Sequence, residues 1–215
     1  MSGIFRLHRA SNTLFDATGR RFNPERRRWL APPRAKARPG KFETLDAIAA
    51  VTWLQRESNY PLREPIGVIG PREATQAQRA AALKVGELLG DCRLTVLCGG
   101  RQGVMQAVCE GVARVGGLSI GLLPETNTSQ ANPFVSVAIA TGIGEARNAL
   151  IARASFCLIA IGDSLGTLSE VALGRQFGRT VIGLERAANV EGVRQVGSAR
   201  AAVESVAGLV LAAAG

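Results

Sequence analysis

The sequence predicts an α/β protein: a doubly wound parallel sheet with helices on both faces, carrying a basic N-terminal appendage. Three observations lead there. From Ile66 onward, short apolar runs alternate with amphipathic stretches of helical period. The runs are continuously apolar, as in strands buried on both faces. The links between them are short and rich in glycine. The expected segmentation is residues 1–41 as appendage, 42–65 as helix and connector, and 66–215 as a Rossmann-like ligand-binding domain.

Each element has a local reason. Residues 14–22 (LFDATGRRF) read as a β-hairpin, with Asp16 opening a type I turn and Gly19 closing it through a bulge. Residues 31–41 (APPRAKARPGK) read as a Pro- and Arg-rich linker that cannot enter a helix or central strand. Residues 44–56 read as a helix with Leu45, Ile48, Ala49, Thr52 and Trp53 on its apolar face, ended by Pro61 and Pro65. Strands are expected over 66–69, 94–98, 118–122, 135–140, 156–161 and 180–184. Helices are expected over 75–89, 104–115, 145–154, 167–177 and 199–213, the last capped by Ser198.

Composition excludes several classes. Of 215 residues, 47% are hydrophobic and 20% charged, too apolar for a disordered chain. No run approaches the roughly 18 residues of a membrane helix, and MSGIFRLHRA lacks a leader-like apolar core, so a cytoplasmic protein without membrane contact is expected. Cys92, Cys98, Cys109 and Cys157 form no C-x-x-C pair and read mainly as small core residues. A lone His8 argues against a zinc site or a His-based triad. The net charge of +9 is concentrated in residues 1–65, where 13 Lys and Arg face 6 Asp and Glu. That appendage reads as a solvated arm or oligomer contact more readily than a nucleic-acid arm. Its aromatics, Phe5, Phe15, Phe22 and Trp29, could stack bases or pack the hairpin, and packing is favoured because so small a hairpin must bury its apolar side.

In doubly wound sheets, ligands bind beyond the carboxyl ends of the strands. The first such turn carries Gly70 and Pro71; Thr75 and Gln78 after it fit a capping box. It lacks G-x-G-x-x-G, so the usual dinucleotide reading is poor. The second turn carries Gly99, Gly100, Arg101 and Gly103 at a helix start, which suits either an anion or a tight turn needing positive φ. The third carries Gly162, Asp163, Ser164, Gly166 and Thr167, where Thr167-x-x-Glu170 reads as another capping box whose glutamate can still face the cleft. The fourth carries Thr141, Arg147 and Asn148. An arginine near a helix start gains nothing from the dipole and asks for an anionic partner, either a ligand or a surface carboxylate, Glu145 or Asp163.

Three segments, CGGRQGVMQAVCEGV, ANPFVSVAIATGIGEARNALI and AIGDSLGTLSEVALGRQFGRTVIGL, then carry a resemblance over residues 66–213. The chain resembles the cytokinin-activating phosphoribohydrolases, often mislabelled lysine decarboxylases. It looks closer to the related molybdenum-cofactor carrier proteins and DprA-related Rossmann proteins, sharing Asn132-Pro133, Thr141-Gly142 and Arg147-Asn148. The resemblance implies that Gly99, Gly100, Gly103, Gly166 and Thr167 contact phosphate or nucleotide. In the hydrolase branch it implies that Arg147 and Glu170 act on an N-glycosidic bond. Gly162, Asp163 and Ser164 depart from that branch's P-G-G pattern, and Asp163 puts a charge where a phosphate would sit, which should weaken phosphate binding unless the loop reshapes or Arg101 or Arg147 neutralises it.

The first functional expectation is a carrier for a phosphorylated pterin- or nucleotide-like ligand, foremost molybdenum cofactor. The second is a nucleoside 5′-monophosphate phosphoribohydrolase, and the third a nucleic-acid-associated protein. No cofactor is expected to be needed for folding; the candidates for a bound molecule are molybdenum cofactor or a nucleoside monophosphate. Homo-oligomers, dimeric or tetrameric, are expected from the resemblance.

Overall fold

The structure, a computed structural model, describes residues 4–32 and 40–212. The chain divides into two compact units, Met1–Leu62 with Glu204–Gly215, and Arg63–Val203.

The first unit is an antiparallel sheet of β1 (Phe5–His8), β2 (Thr13–Phe15), β3 (Arg21–Asn23), β4 (Arg28–Leu30) and β5 (Phe42–Leu45), in the order β4-β3-β2-β1-β5. The expected hairpin is β2–β3. Asp16 Oδ1 accepts from the amides of Thr18 and Arg20, and Gly19 takes φ +84° to close the turn. Leu7, Leu14, Phe22 and Leu45 are buried on one face of this sheet. The helix expected over 44–56 is corrected at its start. Phe42–Leu45 pairs with β1, and α1 (Ala47–Glu57) begins only after Asp46, whose carboxylate caps the Ala49 amide at 2.8 Å. A β-prone F-E-T-L run followed by a strong cap outweighs the apolar period that extended through it. The linker expected over 31–41 lies largely outside the described residues.

The second unit holds a seven-stranded parallel sheet and its helices. In chain order these are β6 (Ile66–Ile69), α2 (Gln76–Asp91), β7 (Val96–Cys98), α3 (Val104–Arg114), β8 (Ser119–Leu123), β9 (Val137–Ala140), α4 (Arg147–Ala154), β10 (Leu158–Ile161), α5 (Leu165–Gln176), β11 (Val181–Leu184) and β12 (Val193–Gln195). α6 (Ala199–Ala212), most of which belongs to the first unit, starts after Ser198, whose hydroxyl accepts from the Ala201 amide. The order β12-β11-β10-β6-β7-β8-β9 is a Rossmann-like, doubly wound arrangement. β6, β10 and β11 are buried throughout, as their unbroken apolar runs require. β9 differs: it is the sheet's edge, and Val137 and Ile139 are exposed. β12 is three residues long with two of them exposed, so neither length nor hydrophobicity announces it.

The chain runs outward from β6 through β7, β8 and β9, then returns to β10 on the other side of β6. The sheet therefore reverses direction of winding between β6 and β10. Gly70 follows one of these strands and Gly162 the other. No helix among the described residues is long and apolar enough to cross a membrane.

Candidate functional site

A cleft of about 960 Å³ opens at this switch point. Its walls come from the turn after β6 (Gly70 to Glu73), the turn after β7, the start of α4 and the start of α5. Of the residues the sequence singles out, Gly70, Pro71, Gly99, Arg101, Arg147, Asn148, Asp163, Ser164, Gly166, Thr167 and Glu170 line it. Gly100, Gly103, Thr141 and Gly162 do not.

Those four have other work. The Gly100 amide donates to Cys98 Sγ at 3.3 Å, and the Gly162 amide donates to Leu184 O at 2.9 Å. Gly103 takes φ +71° where a Cβ would collide with the backbone carbonyls of Pro71 and Arg72, so only glycine lets the turns after β6 and β7 pack together. Thr141 bonds Leu123 O through both its amide and its hydroxyl, fastening the end of β9 to β8. Asn132 holds the glycine turn from behind: its Nδ2 donates to Gly100 O at 3.0 Å and Arg101 O at 3.2 Å.

The floor of the cleft is an arginine–glutamate pair. Arg147 (5% exposed) donates from Nη1 to Glu170 Oε1 at 3.3 Å; Glu170 is 6% exposed. Glu145 approaches the other guanidinium nitrogen at 3.7 Å. Gly99 makes room for this guanidinium, since a Cβ there would sit 2.7 and 2.8 Å from its nitrogens and 2.6 Å from Met105 Sδ. The ion pair with Glu145 that the sequence offered as an alternative is present, but Arg147 itself is buried, its nearest carboxylate is Glu170, and Asp163 is not a partner.

The capping-box reading of Thr167 and Glu170 is also corrected. α5 begins two residues earlier than expected, and Ser164 is its cap, accepting from the Thr167 amide at 3.1 Å and meeting Thr167 Oγ1 at 2.9 Å. Glu170 is left one turn further in, pointing at Arg147. Burial pushes its carboxyl up to about 8, against the pull of Arg147 and with help from Glu145.

The charges that could shield Asp163 go elsewhere. Arg101 pairs with Glu125 and with Glu145, the latter at 3.3 Å, and holds Glu125 below its ordinary value. Asp163 makes no ion pair among the described residues. All four cysteines are buried and outside any disulfide. Two stand behind the glycine turn, with Cys98 and Cys109 sulfurs 3.6 Å apart.

Three buried polar atoms of the cleft-lining residues have no partner: Arg101 Nε, Arg147 Nε and Asn148 Oδ1. The orientation of the amide follows from its neighbour. Ser169 spends its hydroxyl proton on Gly166 O at 2.7 Å, so it can only accept from Asn148 Nδ2 at 3.0 Å, which leaves Oδ1 as the unused acceptor. A buried donor and a buried acceptor left open beside a cleft are what a polar ligand would complete. Sequence reasoning missed Arg72, Glu73, Gln102, Met105, Leu165 and Ser169 as lining residues. The first three share turns already singled out, whereas Ser169 has no sequence signal.

A doubly wound domain with a charged, glycine-framed cleft at its switch point defines the structural class. The chain belongs to the SLOG cluster4 family, whose model matches residues 63–209. It is 37% identical over 129 residues to an uncharacterized protein of Archaeoglobus fulgidus, covering 60% of this chain and 85% of that one. Among solved structures it is similar to the molybdenum cofactor binding protein of Rippkaea orientalis, with 34% identity and a TM-score of 0.66 over 69% of this chain and 99% of that one. It is also similar to the Moco carrier protein of Chlamydomonas reinhardtii, with 30% identity and a TM-score of 0.63 over 69% and 98% of the two chains.

Proposed function

We propose that the protein is a carrier for a phosphorylated, pterin- or nucleotide-like ligand, foremost molybdenum cofactor, held in the cleft at the switch point. The observation that carries this reading is the pairing of an open donor, Arg147 Nε, with an open acceptor, Asn148 Oδ1, in one buried wall. A phosphate oxygen suits the first and a ring or amino N–H suits the second, and both belong to such a ligand. The start of α5, with Ser164, Gly166 and Thr167, supplies further polar groups beside the positive end of the helix dipole. The likeness to two proteins described as binding or carrying molybdenum cofactor supports the choice of cargo.

The experiment mixes the protein with molybdenum cofactor released from a denatured molybdoenzyme and follows survival of the reduced pterin by the fluorescence of its oxidised product. Wild type should protect the pterin and Arg147→Ala should not. Equal loss in both would remove the carrier reading.

A second reading, a nucleoside 5′-monophosphate phosphoribohydrolase, is favoured by one feature: Arg147 and Glu170 stand side by side in the cleft. There Arg147 would hold phosphate or ribose, and Glu170 would stabilise an oxocarbenium-like centre and orient water. That role needs a carboxylate, and with its carboxyl at about 8 Glu170 is mostly protonated at neutral pH. The carrier reading therefore ranks first. Exposed Leu165 (89%), Leu168 and Leu150 on α5 and α4 support assembly into a dimer or tetramer, which light scattering would test. Four unbridged cysteines fit a reducing, cytoplasmic setting.

A further inference from the structure

The N-terminal sheet has two faces of opposite character. One buries Leu7, Leu14, Phe22 and Leu45, and Trp29 on that side donates its indole N–H to Leu211 O at 2.8 Å. The strand register fixes what the other face carries. Leu30, Arg21, Phe15, Arg6 and Thr44 face one another across the five strands, forming one continuous row. A second row carries Thr13, His8, which is buried, and Phe42, and Arg28 lies beside Asn23 at the same level of β3 and β4.

This outward face mixes rings and guanidinium groups. Phe42 is 42% exposed, Phe15 is half-buried, and Arg6, Arg21 and Arg28 are exposed. The Arg6 guanidinium stands 5.5 Å over the Phe42 ring, which in turn meets Phe15 edge-on at 6.0 Å and the His8 ring at 4.9 Å. None of the ten strand residues on this face is acidic, and Arg6, Arg21 and Arg28 form no ion pair among the described residues. Glu43, the one acidic strand residue of the sheet, falls on the other register and is taken by Arg9.

We propose that this face binds single-stranded nucleic acid, with arginines tracking the phosphates and Phe15 and Phe42 offering rings to unpaired bases. Adjacent strands lie about 4.8 Å apart, so Arg21 and Arg6 flank Phe15 at about 5 Å on either side. That alternation of cation and ring is what a single strand presents in complement, a charged backbone alongside exposed base faces. A duplex hides its base faces and could use only the arginines. The site lies in the N-terminal unit, outside the family match over residues 63–209, and is independent of the cleft and of the carrier reading.

The test is fluorescence anisotropy of the full chain with a labelled 15-nucleotide oligo(dT), titrated with salt. Replacing Arg6, Arg21 and Arg28 together with Ala should weaken binding at least tenfold and reduce the slope of log K against log salt by about 2, at about 0.7 for each phosphate no longer neutralised. Phe15→Leu with Phe42→Leu, which keeps apolar bulk and removes the rings, should weaken binding about tenfold and leave the slope unchanged. Arg194→Ala, an exposed arginine of the other unit, should change neither. Absence of wild-type binding at 50 mM salt would overturn the proposal. So would equal affinity for a duplex of the same length, an arginine triple variant that binds like wild type, or leucine variants that do.

Discussion

Replacing Glu170 with Gln separates what its charge does from what its shape does. The carboxyl is buried against Arg147 and titrates at about 8, compared with an ordinary value of 4.5. Between those values the folded protein holds a proton that the unfolded chain has released. The unfolded state then binds fewer protons, and stability falls as pH rises, by about 1.4 kcal/mol per pH unit. This contribution is fully present below pH 4.5 and is lost as the pH climbs through 8. Gln keeps the volume and cannot titrate, so its variant lacks the slope. From pH 5 to pH 8 the stability of Glu170→Gln relative to wild type should grow by up to about 4 kcal/mol. Urea unfolding at pH 5, 6, 7 and 8, fitted with a common m-value, reads this directly. A relative stability that stays flat within about 0.5 kcal/mol over that range would refute the reasoning. It would mean that Arg147 outweighs burial and keeps Glu170 ionised throughout.

The same geometry sets other outcomes. Gly99→Ala should push the Arg147 guanidinium out of its slot, weakening ligand binding and costing about 1–3 kcal/mol of stability, measurable by pterin protection and urea melts. Ser164→Ala should lower stability by about 1 kcal/mol through loss of the cap of α5, seen as a small drop in Tm. Deleting residues 1–41 removes β1 to β4 and uncovers Leu45, so it should lower Tm or shift the mass by light scattering. Any release of free base from a nucleoside monophosphate should rise with pH through about 8, as Glu170 ionises; a rate independent of pH from 6 to 9 would dissociate Glu170 from that chemistry.

The parallel sheet was legible because its strands are unbroken apolar runs, from I-G-V-I at β6 to V-I-G-L at β11. The antiparallel sheet was not, apart from the Asp16–Gly19 turn. β1, β4 and β5 are three or four residues long and carry arginines and polar residues on one side, leaving little periodicity to detect. Within the cleft, the glycine turns marked the right strand ends but not which glycines face inward. Gly103 is required by packing between turns, and Gly162 combines φ +71° with the close approach of the Gln78 side chain on α2, long-range constraints that a local motif cannot show. Thr167-x-x-Glu170 looked like a cap because Ser164, three residues earlier, offers the same chemistry, and the chain uses the earlier hydroxyl. That three-residue shift of the cap turns Glu170 from a helix-end residue into the buried partner of Arg147.

Whether the switch-point cleft carries a phosphorylated pterin- or nucleotide-like cargo through Arg147 and its neighbours is tested most directly by native mass spectrometry of the protein purified from its own host. Wild type should retain a mass matching a molybdenum-cofactor pterin or, failing that, a nucleotide, and Arg147→Ala purified in parallel should be bare. Wild-type protein that emerges bare from cells rich in the cofactor, or an Arg147→Ala variant that carries the same mass, would contradict a carrier role for the cleft.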